Sequence, residues 1–249
     1  MKPASAVRVG RGPGSGDKDL YFAPLAGTAL EARELKSLFP EAKILTGTQA
    51  SKAELEQIES PSILHIATHG FFLQNAADEA EKRAADKIRP SLSGPSPRGV
   101  ESVLDVENPL LRSGLALAGA NFGEGGNEKG ILTALEASNL NLWGTKLVTL
   151  SACDTGVGEV RNGEGVYGLR RAFFIAGAET VVMSLWPVSD SVTRELMTSY
   201  YRGLKAGLGR GDALRQAQLA MLHRNGREHP FYWASFIQVG EWANLEENR

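Results

Sequence analysis

Two apolar runs that each stop at polar residues constrain this fold more than any other feature. The first is ILHIATHG (residues 63–70), and the second is KLVTLSACD (residues 146–154). Short runs that are almost continuously apolar predict parallel strands buried on both faces of a sheet. In open α/β proteins the functional crevice lies beyond the carboxyl ends of such strands. The polar residues at the carboxyl ends of the two runs are therefore candidates for a functional site.

Strands and amphipathic helical stretches alternate along the rest of the chain. We predict helices at about 29–39, 52–58, 131–137, 166–176, 192–204 and 213–222. We predict further strands at 20–25, 43–45, 114–118, 180–185 and 233–239. This alternation is typical of a mostly parallel sheet with helices on both faces, so the predicted fold class is α/β.

The composition fits one folded domain and argues against several kinds of partner. The 249 residues are 42% hydrophobic and 22% charged, which is enough apolar material for a single core. The formal net charge of −2 gives no basic surface for nucleic acid. Because no apolar run approaches the roughly 20 residues that cross a bilayer, we predict no membrane association and a cytoplasmic location.

Three stretches differ in organisation. Residues 1–19, rich in Gly, Ser and basic side chains, predict a flexible lead-in of the kind found in the middle of a longer protein. Residues 20–249 form the predicted domain. Within it, the polar residues 74–108 predict an insertion loop, where order–disorder control is often placed.

Cys153 and His69 are the candidate catalytic pair. Each lies at the carboxyl end of one of the two apolar strands, so the imidazole could take the thiol proton if those strands are close neighbours. The thiolate is the reactive form, and a nearby imidazole favours it. The backbone N–H groups of Gly70 and Cys153 could form an oxyanion hole. The alternative is a purely structural role, in which Cys153, the single cysteine, is a small buried apolar residue.

Metal and nucleotide sites have weaker support. One cysteine excludes a Cys-rich zinc site and an intramolecular disulfide. His65 and His69, four residues apart on a predicted strand, would share a face as core histidines or as metal ligands. No carboxylate or cysteine of ligand spacing accompanies them. The glycines at 156–165 match neither phosphate-binding pattern, so no cofactor and no metal are predicted.

Several long motifs resemble one family. They are LHIATHG, NPLLRSGLALAGAN, GILTALEASNLNL, LVTLSACDTGVGEVRNGEGVYGLRRAFFIAGAETVVMSLWPVSD and HPFYWASFIQVGEW. Together they resemble the CHAT family, a caspase-like domain that is often attached to tetratricopeptide repeats. The resemblance covers roughly residues 21–242.

The resemblance implies a fold and a site. The fold is a three-layer sandwich like that of caspases, separase and gingipains, with a central, mostly parallel sheet of about six strands. The family's histidine maps onto His69 and its cysteine onto Cys153, with Gly70 and Cys153 as oxyanion donors. A protein substrate would bind as an extended strand beside the segment after the strand at 180–185. Candidate pocket residues are Asp154, Ser184, Trp186 and Asp190.

The expected specificity differs from that of caspases. Caspases carry Gln-Ala-Cys, whereas this chain has Ser-Ala-Cys-Asp, so a preference for aspartate does not carry over. The charge of Asp154 favours a basic P1 side chain by complementarity. Asp154 could instead cap the following loop through backbone N–H groups.

We therefore expect a cysteine-type endopeptidase that cleaves a partner protein. Related chains suggest a regulated effector in bacterial defence or signalling, with an upstream sensor or tetratricopeptide-repeat domain. One alternative is a catalytically silent docking module with the same fold. Another is a dimerising adaptor whose edge strand at 233–239 pairs with a second copy.

Overall fold

The architecture comes from a computed structural model. It describes residues 22–25, 27–72, 109–111, 113–121, 130–151, 164–186 and 189–246. No helix within these ranges is both long and apolar enough to cross a membrane.

A four-stranded central sheet organises the described residues, with the strand order β1-β5-β6-β7. The strands are β1 (Ile63–Ile66), β5 (Leu147–Leu150), β6 (Thr180–Ser184) and β7 (Phe236–Gly240). β1, β5 and β6 run parallel, and β7 is antiparallel to β6. The predicted α/β class with a mostly parallel sheet is confirmed.

A second sheet, which we did not predict, is antiparallel and has the order β2-β3-β4. Its strands are β2 (His69–Phe72), β3 (Ser113–Ala116) and β4 (Ile131–Thr133). The predicted single strand over 63–70 is wrong, because β1 ends at Ile66 and His69 begins a strand of the other sheet. His65 and His69 therefore do not lie on one strand face.

Seven helices lie within the described residues. They are α1 (Thr28–Leu38), α2 (Lys52–Glu56), α3 (Ala134–Ala137), α4 (Glu164–Ile175), α5 (Asp190–Lys205), α6 (Arg210–Leu222) and α7 (Pro230–Trp233). Short 3-10 turns occupy Gly47–Gln49 and Pro109–Leu111.

Helices cover both faces of the central sheet. Side chains alternate between faces along each strand. In β5, Val148 and Leu150 join a core with the buried residues of α3 and α4. Leu147, on the opposite face, joins a core with the buried residues of α1, α5 and α6. This is the three-layer arrangement that the sequence predicted.

Local patterns misled the prediction at four places. Ile131 and Leu132 were predicted in a helix, yet they pair with β3, and a capping box from Thr133 starts the helix only afterwards. The predicted strand at 43–45, and the described part of the one at 20–25, are not strands. The last strand begins at Phe236 because Pro230 starts a helical turn.

Two neighbouring tyrosines of α5 differ in how their buried hydroxyls are satisfied. The Tyr201 hydroxyl donates to Thr149 Oγ1 at 3.0 Å and lies 3.0 Å from His65 Nδ1. The Tyr200 hydroxyl is also buried and has no hydrogen-bond partner among the described residues. Burial raises the pKa of both hydroxyls, so both stay protonated.

This difference predicts opposite effects of the same substitution. Tyr201→Phe should lower the free energy of unfolding by about 1–3 kcal/mol, because it leaves buried partners unsatisfied. Tyr200→Phe should be neutral or stabilising, because it removes a buried hydroxyl without a partner. Urea unfolding of both variants measures this, and equal losses would contradict it.

Candidate active site

The carboxyl ends of β1 and β5 lie side by side. Ile66 is the register partner of Leu150, and the Ser151 amide extends the ladder by donating to the Ile66 carbonyl at 2.9 Å. His69 is three residues beyond Ile66, and Cys153 is three residues beyond Leu150. The strand adjacency on which the predicted pair depends is therefore present, although Cys153 itself lies outside the described residues.

His69 is buried at the start of β2, and its ring orientation is defined by a backbone group. Its Nε2 lies 2.6 Å from the Ala23 carbonyl oxygen, and its ring packs 5.8 Å from that of Phe22. A carbonyl can only accept, so Nε2 carries the hydrogen. In the neutral ring the basic nitrogen is then Nδ1. The geometry thus selects one tautomer of a candidate general base.

Asn121 clamps the segment that supplies this carbonyl. Its Oδ1 accepts from the Phe22 amide at 2.9 Å, and its Nδ2 donates to the Phe22 carbonyl at 2.8 Å. Both polar groups of Phe22 are therefore held by one side chain. The next residue, Ala23, is placed against His69 as a consequence.

The other predicted site residues that the structure describes each make different contacts. Gly70 is buried in β2 opposite Leu115. The Ser184 hydroxyl, at the end of β6, donates to the Trp186 carbonyl at 2.6 Å. Trp186 Nε1 donates to the Phe231 carbonyl at 3.1 Å.

Asp190 starts α5 and is exposed, and Asp154 lies outside the described residues. Asp190 Oδ2 accepts from the Gly27 amide at 3.0 Å. A Cβ built at Gly27 would lie 2.3 Å from Asp190 Cβ, so the two residues are in close contact. The Asp190 carboxylate therefore ties the start of α5 to the start of α1.

The two histidines have separate partners. His65 Nε2 lies 3.1 Å from Glu31 Oε1, whereas His69 faces Ala23 and Phe22. Within the ranges that the structure describes, no group of three or more His, Cys, Asp and Glu side chains could hold a metal ion.

These features define a class of protein. The central sheet is mostly parallel and lies between two helical layers, and the small antiparallel sheet begins at His69, beside the carboxyl edge of the central sheet. This arrangement is consistent with the caspase-like fold. The sequence profile of the CHAT domain matches residues 4–241. The chain belongs to the CHAT domain family, a caspase-like peptidase family.

Two curated proteins are similar to this chain. Tetratricopeptide repeat protein 28 of Homo sapiens is 28% identical over 207 residues, which are 81% of this chain and 8% of that protein. Tetratricopeptide repeat protein 28 of Mus musculus is 34% identical over 115 residues, which are 46% of this chain and 5% of that protein. The chain thus spans less than a tenth of the length of these relatives.

Sequence reasoning missed several of the residues around the two histidines. Ala23 acts through its carbonyl, which carries no sequence signal. Asn121 ends one of the motifs that carry the family resemblance, and that was the available signal. Glu31 is buried four residues before the buried Leu35, so a charge on the apolar face of α1 could have indicated it.

The Asn121 clamp predicts an effect on the His69 ring. Asn121→Ala should remove both hydrogen bonds to Phe22, loosen Ala23 and reduce the Nε2–H tautomer of His69. Its free energy of unfolding should fall by about 1 kcal/mol. Imidazole ¹⁵N chemical shifts measure the tautomer.

Asn139→Ala is the matched control, because Asn139 also donates to a backbone carbonyl, at 3.3 Å, but on α3. It should leave the His69 shifts unchanged. Identical His69 shifts in wild type and Asn121→Ala would contradict the role of the clamp.

Proposed function

We propose that this domain is a cysteine endopeptidase in which His69 is the general base and Cys153 the nucleophile. The observation that carries the proposal is the pairing of β1 with β5. Because of this pairing, the chain leaves β1 and β5 at the same edge of the sheet. The hydrogen bond from His69 Nε2 to Ala23 supports it further, because it makes Nδ1 the basic nitrogen.

The proposed reaction has two steps, acylation of Cys153 and hydrolysis of the resulting thioester. The Cys153 thiol gives its proton to His69 Nδ1 as the sulfur bonds to the scissile carbonyl carbon. The proton passes to the leaving amine as the C–N bond breaks, which leaves a thioester. Water then attacks the thioester with His69 as base, releasing the carboxylate and restoring the thiol. The amides of Gly70 and Cys153 are the proposed donors to the oxyanion.

The proposed substrate is a protein segment bound as an extended strand beyond β6. We keep Asp154, Ser184, Trp186 and Asp190 as proposed pocket residues. The Trp186 ring, partly buried against the core of the α1, α5 and α6 layer, is suited to form a wall. A basic P1 side chain is favoured by the charge of Asp154.

Regulation by a repeat domain is a further part of the proposal. The similar human and mouse proteins are named for tetratricopeptide repeats, and this chain matches only a small share of each. We propose that such a domain, or another sensor, acts on this one. The bacterial setting, the cytoplasmic location and a homodimer through β7 stay predictions.

Active-site labelling tests the dyad. Peptide acyloxymethyl ketones with arginyl, lysyl, leucyl or aspartyl P1 groups should give a single adduct in wild type, detected by intact mass. Cys153→Ala should give none. His69→Ala should react at least about 100-fold more slowly, since general-base catalysis typically contributes that much. The arginyl and lysyl reagents should react fastest.

A small alkylating reagent provides the control. It should modify Cys153 in both wild type and His69→Ala, which shows that the thiol is accessible. If no peptide reagent labels wild type while this reagent labels both proteins equally, the endopeptidase proposal fails. A docking module would then be the better account of the domain.

A further inference from the structure

A buried polar network connects α1 with the ends of two strands. The Glu31 side chain is 4% exposed and that of His65 14%. Glu31 Oε1 lies 3.1 Å from His65 Nε2, and the Ser151 hydroxyl donates to both Glu31 oxygens, at 3.3 and 3.4 Å. On the other side, His65 Nδ1 lies 3.0 Å from the Tyr201 hydroxyl. The proposed reaction uses none of these groups.

The hydrogen positions in the network follow from its donors and acceptors. Tyr201 gives its hydroxyl hydrogen to Thr149, so its oxygen accepts from His65 Nδ1–H. His65 Nε2 and Glu31 Oε1 are in contact at 3.1 Å, without the alignment of a hydrogen bond. The hydrogen bonds of the network are therefore those that Tyr201 and Ser151 make.

Holding a helix on a sheet with buried polar groups carries a large desolvation cost. Buried ion pairs often stabilise no better than apolar side chains of the same size, because desolvation offsets their attraction. Their value is geometric, since each hydrogen bond requires one arrangement of its partners. Here the arrangement fixes the hydroxyl of Ser151, the first residue after β5. Cys153 follows two residues later.

We propose that Glu31 is a positioning residue for the reaction: it holds Ser151, two residues before Cys153 in the chain, at the end of β5, and His65 lies against it. The inference rests on the proposed endopeptidase function. Glu31 does not touch the reacting atoms in this scheme. It acts through the Ser151 hydroxyl.

Glu34 offers a matched control on the same helix. It lies about one turn from Glu31, and its carboxylate contacts Arg194 at 3.0 Å and the Thr198 hydroxyl, both on α5. Glu34→Gln therefore perturbs the contact between α1 and α5 without altering a partner of Ser151. Glu31→Gln keeps the side-chain shape and removes the charge that faces His65 and Ser151.

The experiment compares the two variants by labelling and by amide hydrogen exchange. With the best peptide acyloxymethyl ketone, Glu31→Gln should lower the maximal inactivation rate about tenfold at unchanged reagent affinity, since small misplacements are costly in catalysis. Glu34→Gln should lower it less than about twofold. Exchange of the Ser151 amide should accelerate in Glu31→Gln alone. Rates are compared at the same interval below each melting temperature.

A double variant tests the route through Ser151. Ser151→Ala should slow inactivation, and combining it with Glu31→Gln should add little, because both changes break one interaction. Equal effects of Glu31→Gln and Glu34→Gln, or an unchanged Ser151 amide in Glu31→Gln, would overturn the proposed positioning role.

Failure of the proposed function has a different signature. Wild type would then show no His69-dependent adduct, which would also remove any catalytic role for Glu31. The Ser151 amide exchange would still decide whether Glu31 holds the end of β5, because that measurement needs no chemistry at Cys153.

Discussion

The parallel pairing of β1 with β5 is the interaction on which the rest of this structure depends. It aligns Ile66 with Leu150, so the chain leaves both strands at the same level of the same edge. The core layers follow from it, because alternate β5 side chains enter the cores on the two faces. Where β1 stops, the second sheet begins at His69. One register therefore sets both the packing and the place of the candidate chemistry.

The short stretch from Phe22 to Glu31 connects three parts of the molecule. The Ala23 carbonyl orients His69, the Gly27 amide meets Asp190 at the start of α5, and Glu31 reaches Ser151 beyond β5. Phe22 packs against Phe71 and His69, and the contacts with these three parts are hydrogen bonds. Hydrogen bonds specify geometry more sharply than apolar contacts do, so this stretch is suited to set positions at the sheet edge.

Periodicity predicted the long elements well and the short ones poorly. Helices α5 and α6 are long enough to show a helical repeat of apolar residues, and they were predicted within a few residues. The segment ILTALEA fits both a strand and a helix over its few residues, and pairing with β3 decides that Ile131 and Leu132 are extended. The apolar run from Ile63 does not indicate that β1 ends at Ile66, because the local pattern carries no information about which strand each residue pairs with.

The sequence by itself determined the α/β class, the carboxyl-edge location of His69 and the family, because these depend on local apolar runs and long ordered motifs. Only the tertiary structure decided which groups surround each histidine. Ala23 reaches His69 and Asn121 reaches the neighbouring Phe22 from distant parts of the chain, and Glu31 reaches His65 from α1. Such contacts depend on how elements pack across the sheet, and residues 46 or 34 positions apart carry no local signal of their meeting.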